Sequence, residues 1–366
     1  MIRDTIQRAL FRARAIHSAD DAAAIAQRRL PSMVLDYVDG AAGQGNGESA
    51  NRKALRDIRL QTRVLRNVAE RDLSHSVFGR KTGVPFGIAP MGFCNIVTHG
   101  ADLMLARAAA KHNFPVCAST VATTSLEDIV EAANGHAWFQ LYYSGQGELT
   151  DMLLNRAEAA GYDVLIFTVD VPLVGRRGRE LRHGFKLPFK PSAAQLIDFA
   201  LHPRWAFKMA MGGQPSLGNF GGQHPEFDRH ATRAHVDFDT LKSVRDRWKG
   251  KLVVKGVLST QDAIAIRQTG ADAIQVSSHG GRQLDSAPLP INVLPAIREA
   301  LGGDYPIFCD SGLRSGEDII KALGRGADFA FMGRPFLHAI AAGGEVGLNT
   351  FIEVLKSELC LTLAMT

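Results

Sequence analysis

The stretch Val276-Ser-Ser-His-Gly-Gly-Arg-Gln-Leu-Asp285 sets a histidine between a serine and two glycines. His279 can project from it into a cavity without steric crowding. A lone histidine is more often structural than catalytic. This one has an acid candidate elsewhere in the chain, Asp170, and two arginine candidates, Arg177 and Arg282. An acid–histidine pair beside paired guanidiniums is the equipment for removing a proton from a carboxylate-bearing molecule. Lys255 is costly to bury unless it faces something electron-rich, and its plainer role is a salt bridge to a neighbouring acid. Asp310-Ser-Gly-Leu-Arg314 and Met332-Gly-Arg334 supply glycines for close backbone approach and two more guanidiniums, which suits a phosphate. His224, His230 and His235 match no metal-ligand spacing, so no metal is expected. Gly43-Gln-Gly-Asn-Gly47 follows a helical pattern and lacks the dinucleotide-binding spacing.

These groups need a frame that brings them together, and the chain has one in its rhythm. Short apolar runs recur, each bounded by Gly or Pro and followed by a helical pattern. They are Val84–Ala89, Phe114–Ala118, Ala137–Leu141, Val164–Val169, Leu252–Val254, Ala273–Val276, Ile307–Cys309 and Phe329–Met332. Runs apolar on both faces belong to a parallel sheet covered by helices. Eight such units predict an α/β fold, a closed (β/α)8 TIM barrel. Thr124-x-x-Glu127, Ser259-x-x-Asp262 and Ser315-x-x-Asp318 read as helix starts. Leu348, Ile352, Leu355, Leu359 and Leu363 predict one apolar face on a last helix. Helices are also expected over Ala22–Arg29 and Met33–Asp39, in an N-terminal extension before the barrel. The reading is one domain over 1–366, with the barrel at about 80–345. A long insertion after strand 4, about 177–238, lies where lids and binding loops usually sit.

Barrel chemistry sits at the C-terminal ends of the strands. Those ends carry Ala89-Pro90-Met91, Ser119, Gln140 with Tyr142, Thr168 with Asp170, Lys255, Ser277 with His279, Asp310 with Gly312 and Arg314, and Gly333-Arg334. Any one polar strand end means little. The predicted topology gathers them into one ring.

Composition excludes other classes. The chain has 366 residues, 46% apolar, so it has enough hydrophobic residues for a sizeable core. Its formal charge of +5 is thin for this length, and no basic block appears, so nucleic acid is not an expected partner. Four dispersed cysteines fit a reducing compartment. No apolar run is long enough to span a membrane, and the arginine-rich start lacks the apolar segment of a secretory signal. The expected location is cytoplasmic.

The residues now match a known family. Val276–Asp285 resembles the signature of the FMN-dependent α-hydroxy acid dehydrogenases and oxidases. The likeness runs from about residue 25 to 364. It takes in Leu30-Pro31-x-Met33-Val34-x-Asp36-Tyr37, Phe139-Gln-Leu-Tyr142, Thr168-Val-Asp-x-Pro172 with Gly175 and Arg177, Val254-Lys-Gly-Val257, Asp310-Ser-Gly-x-Arg314 and Gly333-Arg-Pro335. The resemblance implies FMN as cofactor and an (S)-2-hydroxy acid as substrate. His279 would be the base, oriented by Asp170. Arg177 and Arg282, with Tyr37 and Tyr142, would hold the substrate carboxylate. Lys255 would stabilise negative charge on the flavin. Ala89, Pro90, Met91, Ser119, Gln140, Thr168 and Ser277 would hold its ring system. Asp310, Gly312, Arg314, Gly333 and Arg334 would hold ribityl and phosphate.

The same resemblance implies a homo-oligomer, a tetramer. Gly92 stands where dehydrogenase members carry Gly and oxidases usually Ala, which favours a quinone or other carrier over oxygen as electron acceptor; an oxygen-using oxidase is the alternative. An FMN-dependent isomerase and a flavin-binding protein without catalysis are lesser alternatives. Met91, Phe93, Val121 and Trp205 are candidates for the wall around the substrate side chain. Val121 replaces the Trp of glycolate oxidases, so L-lactate and aryl hydroxy acids such as mandelate are both admissible. Residues 196–211 mix apolar and basic side chains, which suits peripheral contact with the inner face of the cell membrane. Two departures stand out. The chain ends at Thr366 without the family's longer tail, so subunit contacts through such a tail are not expected. The loop after Gly40 lacks the usual acidic segment.

Overall fold

Strands buried on both faces can exist only where helices cover the outside and side chains fill the inside. A computed structural model, which describes residues 15–143, 145, 147–183, 191–221 and 233–366, has that arrangement. Eight parallel strands close into a barrel: β3 (Phe86–Met91), β4 (Val116–Ser119), β5 (Ala137–Leu141), β6 (Val164–Thr168), β7 (Lys251–Val257), β8 (Ala273–Val276), β9 (Ile307–Cys309) and β10 (Phe329–Met332), with β10 pairing β3 to shut the ring. All eight predicted runs form barrel strands. Their bounds shift by up to three residues: the first begins and ends two residues later than the apolar pattern, and the fifth begins one residue earlier and ends three later.

The barrel is solid at its N-terminal end. Trp138, Phe308, Phe329 and Phe331 fill it, with the Phe331 ring 5.4 Å from Trp138 and 5.3 Å from Phe329. A hairpin of β1 (His75–Val77) and β2 (Arg80–Thr82) caps it from below. Phe78, at the turn with φ 48°, inserts its ring 5.7 Å from Trp138 and 5.6 Å from Phe308. The pattern did not predict this hairpin, whose strands are too short to show alternation. With one end closed, only the C-terminal mouth is open to chemistry.

The N-terminal extension contributes α1 (Ala19–Gln27), α2 (Ser32–Val38) and α3 (Asn46–Asp57). The first starts on Ser18, whose side chain accepts from the Asp21 amide, and packs on the last helix, α14 (Arg334–Met365), which kinks at Gly344. On α14 the residues Leu348, Ile352, Leu355 and Leu359 are buried, but Leu363 is exposed, so the apolar face ends one turn before the spacing suggests. Ser259 and Ser315 cap their helices as expected. The cap of α5 (Leu126–Ala132) is instead Ser125, one residue past Thr124, and it accepts from the Asp128 amide. The insertion is not the plain loop its Gly and Pro content suggests. Its described part holds α7 (Gly178–Arg182), α8 (Ala193–Leu201) and α9 (Pro203–Gly212). His224 and His230 lie outside the described residues.

Candidate active site

Register decides which strand-end side chains meet. Thr168 pairs with Lys255, Lys255 with Gln275, and Ser119 with Gln140, so these inward-facing groups share a level above the aromatic plug. They form a continuous polar floor: Ser119 Oγ donates to Gln140 Oε1 (3.0 Å), Gln140 Nε2 to Thr168 Oγ1 (3.0 Å), and Lys255 Nζ to Ser277 Oγ (2.8 Å). Asp310 accepts from Gln275 at 2.6 Å and faces Lys255 Nζ at 3.4 Å. Lys255 is thus both buried and paired. Burial alone would lower its pKa, but Asp310 and Asp170 more than offset that and hold it above the ordinary lysine value. Ala89, Pro90 and Met91 end β3 half-buried beside this floor, where the pairing with β4 is irregular.

His279 follows β8 in an unusual backbone. His279, Gly280 and Gly281 have φ of 54°, 63° and 75°, and the first of these is a conformation that costs a residue with a Cβ about 1 kcal/mol or more. The strained turn is held from both sides. The His279 amide donates to Ser277 Oγ (3.0 Å) and the Gly280 amide to Ser311 Oγ (3.0 Å). This turn points the imidazole across the mouth. Nδ1 lies 3.0 Å from Asp170 Oδ1 and 3.2 Å from Oδ2. An ionised carboxylate only accepts, so Nδ1 carries the proton and Nε2 is left as the acceptor. The Tyr142 hydroxyl, 3.2 Å away, donates to Nε2. Burial pushes the His279 pKa below the ordinary value; Asp170 works against that and Lys255 adds to it. Burial would raise the Asp170 carboxyl, but His279 and Lys255 outweigh it and keep it below the usual carboxylate range. The pair therefore rests as imidazole and carboxylate at neutral pH, poised to accept a proton at Nε2.

The two arginines meet here as well. Arg282 Nη1 donates to the Tyr37 and Gly40 carbonyls (3.0 Å each), and its Nη2 pairs with Glu180 Oε1 at 2.6 Å. Burial, with Arg177 adding to it, lowers the Arg282 pKa to about 10, which still leaves it charged at neutral pH. Arg177 is held more loosely, with contacts of 3.4 Å to Glu180, to Gln283 Oε1 and to the Arg282 carbonyl. The Tyr37 hydroxyl donates to the Gly92 carbonyl (2.9 Å), and burial raises its pKa to about 12. Phe93 sets its ring edge-on to Tyr37 at 6.4 Å.

At the β9 and β10 ends, Gly312 has φ 93°, and an added Cβ there would strike the Asn51 backbone at 2.9 Å. Gly333 is tightly packed, with the flexible Met91 side chain placing Sδ 3.0 Å from where a Cβ would be. Arg314 Nη2 pairs with Glu48 at 3.1 Å. Arg334 spends its donors on the carbonyls of Val38, Gly40 and Gly280, and burial lowers its pKa to about 9. Trp205 is not at the mouth's centre: its indole N–H donates to the Ile96 carbonyl (2.8 Å), and its ring packs on Phe199.

Glu180, Gln283 and Arg233 were not singled out from the sequence. Glu180 follows Arg177 by one helical turn, a spacing that offered a signal. Gln283 lies inside the His279 signature and donates to the carbonyls of Asp170 and Leu173 (3.0 Å each). Arg233, buried, sets its guanidinium 5.4 Å over the Tyr142 ring, and nothing local in the sequence reveals that. Among the described residues no group of His, Cys, Asp and Glu could hold a metal.

The floor suits a flat heteroaromatic group with a polar edge. Seven polar side chains (Ser119, Gln140, Thr168, Lys255, Gln275, Ser277, Asp310) are buried there, and Gln275 Oε1 has no hydrogen-bond partner. Such a concentration is costly in a barrel unless a ligand uses it. Two arginines and two closely packed glycines, one of them against the Asn51 backbone, stand where barrels hold phosphate. The residues fit FMN.

Comparison with known proteins agrees. Residues 26–366 match the model of a family described as FMN-dependent dehydrogenase. A putative L-lactate dehydrogenase of Mycobacterium tuberculosis is 38% identical, covering 99% of this chain and 88% of the relative. The (S)-mandelate dehydrogenase of Pseudomonas putida is 37% identical over 95% of this chain and 90% of its own. A crystal structure of the monotopic membrane protein (S)-mandelate dehydrogenase superposes with a TM-score of 0.91 at 36% identity, over 95% of each chain. A barrel whose mouth is built for a flavin, in a chain matched almost end to end, belongs to the FMN-dependent dehydrogenase family.

Proposed function

We propose that the protein oxidises an (S)-2-hydroxy acid, of the L-lactate or mandelate kind, to the 2-oxo acid. The observation that carries this reading is the line Asp170–His279–Tyr142 facing the Arg177/Arg282 pair across one mouth. FMN, when bound, takes up the two electrons that leave the substrate carbon. The chain does the rest. Arg177 and Arg282 bind the substrate carboxylate, with the Tyr37 and Tyr142 hydroxyls beside it. This orients the 2-hydroxyl carbon toward His279. His279 Nε2 accepts the proton, and Asp170 stabilises the imidazolium that results. Lys255, fixed by Ser277 and Asp310, would supply positive charge to the flavin ring. Ala89, Pro90, Met91, Ser119, Gln140, Thr168 and Ser277 would hold the ring system, and Asp310, Gly312, Arg314, Gly333 and Arg334 the ribityl phosphate.

The electrons then pass to a quinone or another carrier. The whole chain works as one unit, as a homo-oligomer. Peripheral membrane contact through residues 196–211 is supported by exposed Leu196, Ile197, Leu201, Phe207 and Met211 and by the monotopic relative. No helix among the described residues is long and apolar enough to cross a membrane. The deciding experiment is anaerobic addition of L-lactate or L-mandelate to the yellow protein. Bleaching of its absorbance is the expected result; an unchanged spectrum with both acids rejects this substrate class. Admitting air or a quinone analogue to the bleached protein then identifies the acceptor by the rate at which colour returns.

A further inference from the structure

The carboxylate clamp contains a carboxylate of its own. Glu180 Oε1 lies 2.6 Å from Arg282 Nη2 and 3.4 Å from Arg177 Nη1, and its side chain is 5% exposed. The seat is built from three separate segments. Arg282 comes from the loop after β8 and Glu180 from α7 at the start of the insertion. Gly40, from the end of the N-terminal extension's second helix, completes it. A Cβ on Gly40 would meet Glu180 Oε1 at 2.8 Å and Arg282 Nη1 at 3.2 Å, so a glycine there is what lets the acid and the guanidinium close.

Charge follows from this geometry. Two guanidiniums would otherwise present two positive charges to whatever enters, and an internal acid cancels one of them. Elsewhere in the mouth Lys255 faces Asp310, while Asp170 stands behind a neutral His279 and carries its charge as a carboxylate. We propose that Glu180 sets the net charge of the clamp to that of one guanidinium and so makes the site selective for singly charged over doubly charged carboxylates. Glu180 touches no reacting atom. It is a specificity-determining residue acting through Arg177 and Arg282, and the inference rests on their reading as the substrate clamp.

The test uses the FMN-loaded protein and two ligands of one shape, oxalate (a dianion) and its amide oxamate (a monoanion), titrated against the flavin absorbance. Removing one charge roughly 9 Å from the ligand's second carboxylate, at an effective dielectric constant of about 20, changes their relative affinity by about tenfold or more. Glu180→Gln is therefore expected to raise the affinity for oxalate relative to oxamate by about tenfold. Glu180→Ala should do the same, and either variant suffices. Glu180→Asp, which keeps the charge, should keep the wild-type ratio. A merely structural role would weaken both ligands together, so an unchanged ratio in the charge-removing variants overturns the proposal. Arg177→Met and Arg282→Met separate the levels. If both lose oxamate while the Glu180 ratio stays fixed, only this inference falls. If both bind oxamate as the wild type does, the clamp itself is misassigned.

Discussion

A methyl group on Gly92 would lie 2.5 Å from Cγ2 of Val121 and 3.2 Å from its carbonyl oxygen. The two residues follow β3 and β4, and the Phe93 amide donates to that same carbonyl at 2.9 Å, so the strand ends are already tied at this point. Valine is stiff at χ1 and cannot swing its methyl aside freely. A glycine at 92 is therefore dictated by the valine opposite. Gly92→Ala is expected to cost about 1–3 kcal/mol in denaturant unfolding, the usual cost of overpacking. Val121→Ala in the same chain should recover most of it. A double-mutant cycle with no coupling would show that the loops part without resistance.

His279→Gln should keep FMN and substrate affinity while turnover falls by 10²–10⁴-fold or more, the usual contribution of a general base. The variant keeps a polar side chain at the strained turn, and Ser277 and Ser311 still fix the backbone there. Rapid-mixing bleaching of the flavin is the measurement. A rate within tenfold of the wild type would remove His279 from the proton-transfer step.

The pH profile follows from the directions of shift. A base works in its deprotonated form, and burial lowers the His279 pKa from its ordinary value. Activity should hold as pH falls through the ordinary histidine range and fail only below it. Asp170 pulls that pKa upward, so Asp170→Asn should move the acidic limb of kcat/KM to lower pH. It should also lower the plateau, because the imidazolium loses its counter-charge. A limb that moves to higher pH, or not at all, would contradict the pairing.

The clamp arginines should respond differently to the same substitution. A charge-assisted bond to a carboxylate is worth about 1.5–3 kcal/mol, so each Met variant should weaken oxamate or hydroxy acid binding by about tenfold or more. Arg177 has only 3.4 Å contacts, and Arg177→Met should leave stability nearly unchanged. Arg282 joins Tyr37, Gly40 and Glu180 at 3.0 Å or less. Arg282→Met strips those groups of a buried donor and should lower the unfolding midpoint as well. Equal midpoints for the two variants would refute this division.

What the sequence reveals and what it hides has a physical pattern here. The eight barrel strands were legible because each is buried on both faces and bounded by Gly or Pro. The ring of site residues followed once strands were known, since a parallel barrel fixes which ends face the mouth. Two kinds of feature escaped. Phe78 and the β1–β2 hairpin are too short to carry a period, and their role depends on rings from β5 and β9 far along the chain. Glu180 and Arg233 lie in or at the end of an insertion whose Gly, Pro and His content reads as loop, while their burial comes from Arg282 and Tyr142. The contact of Arg233 with Tyr142 leaves no local mark, whereas the one-turn spacing of Arg177 and Glu180 does.

The insertion's surface gives the last prediction. The mix of apolar and basic residues over 196–211 treats Ile197, Phe199, Leu201, Trp205, Phe207 and Met209 as one set of anchors. In the fold they divide. Phe199 and Trp205 pack with tilted rings 4.9 Å apart, and the indole N–H is spent on Ile96, so these two, with Met209, pack inward. Leu196, Ile197, Leu201, Phe207 and Met211 are each more than half exposed. A patch of this kind is expensive in water unless something covers it, and amphipathic segments use such residues to enter the headgroup region of a bilayer. Replacing Ile197, Leu201 and Phe207 with Ser should abolish sedimentation with anionic vesicles and leave turnover with a soluble dye unchanged. Trp205→Leu should do the opposite: vesicle binding persists and thermal stability falls, because the Ile96 carbonyl loses its donor. If the triple variant still pellets with vesicles as the wild type does, the exposed set is not a membrane anchor, and a subunit contact becomes the reading to test by sedimentation equilibrium.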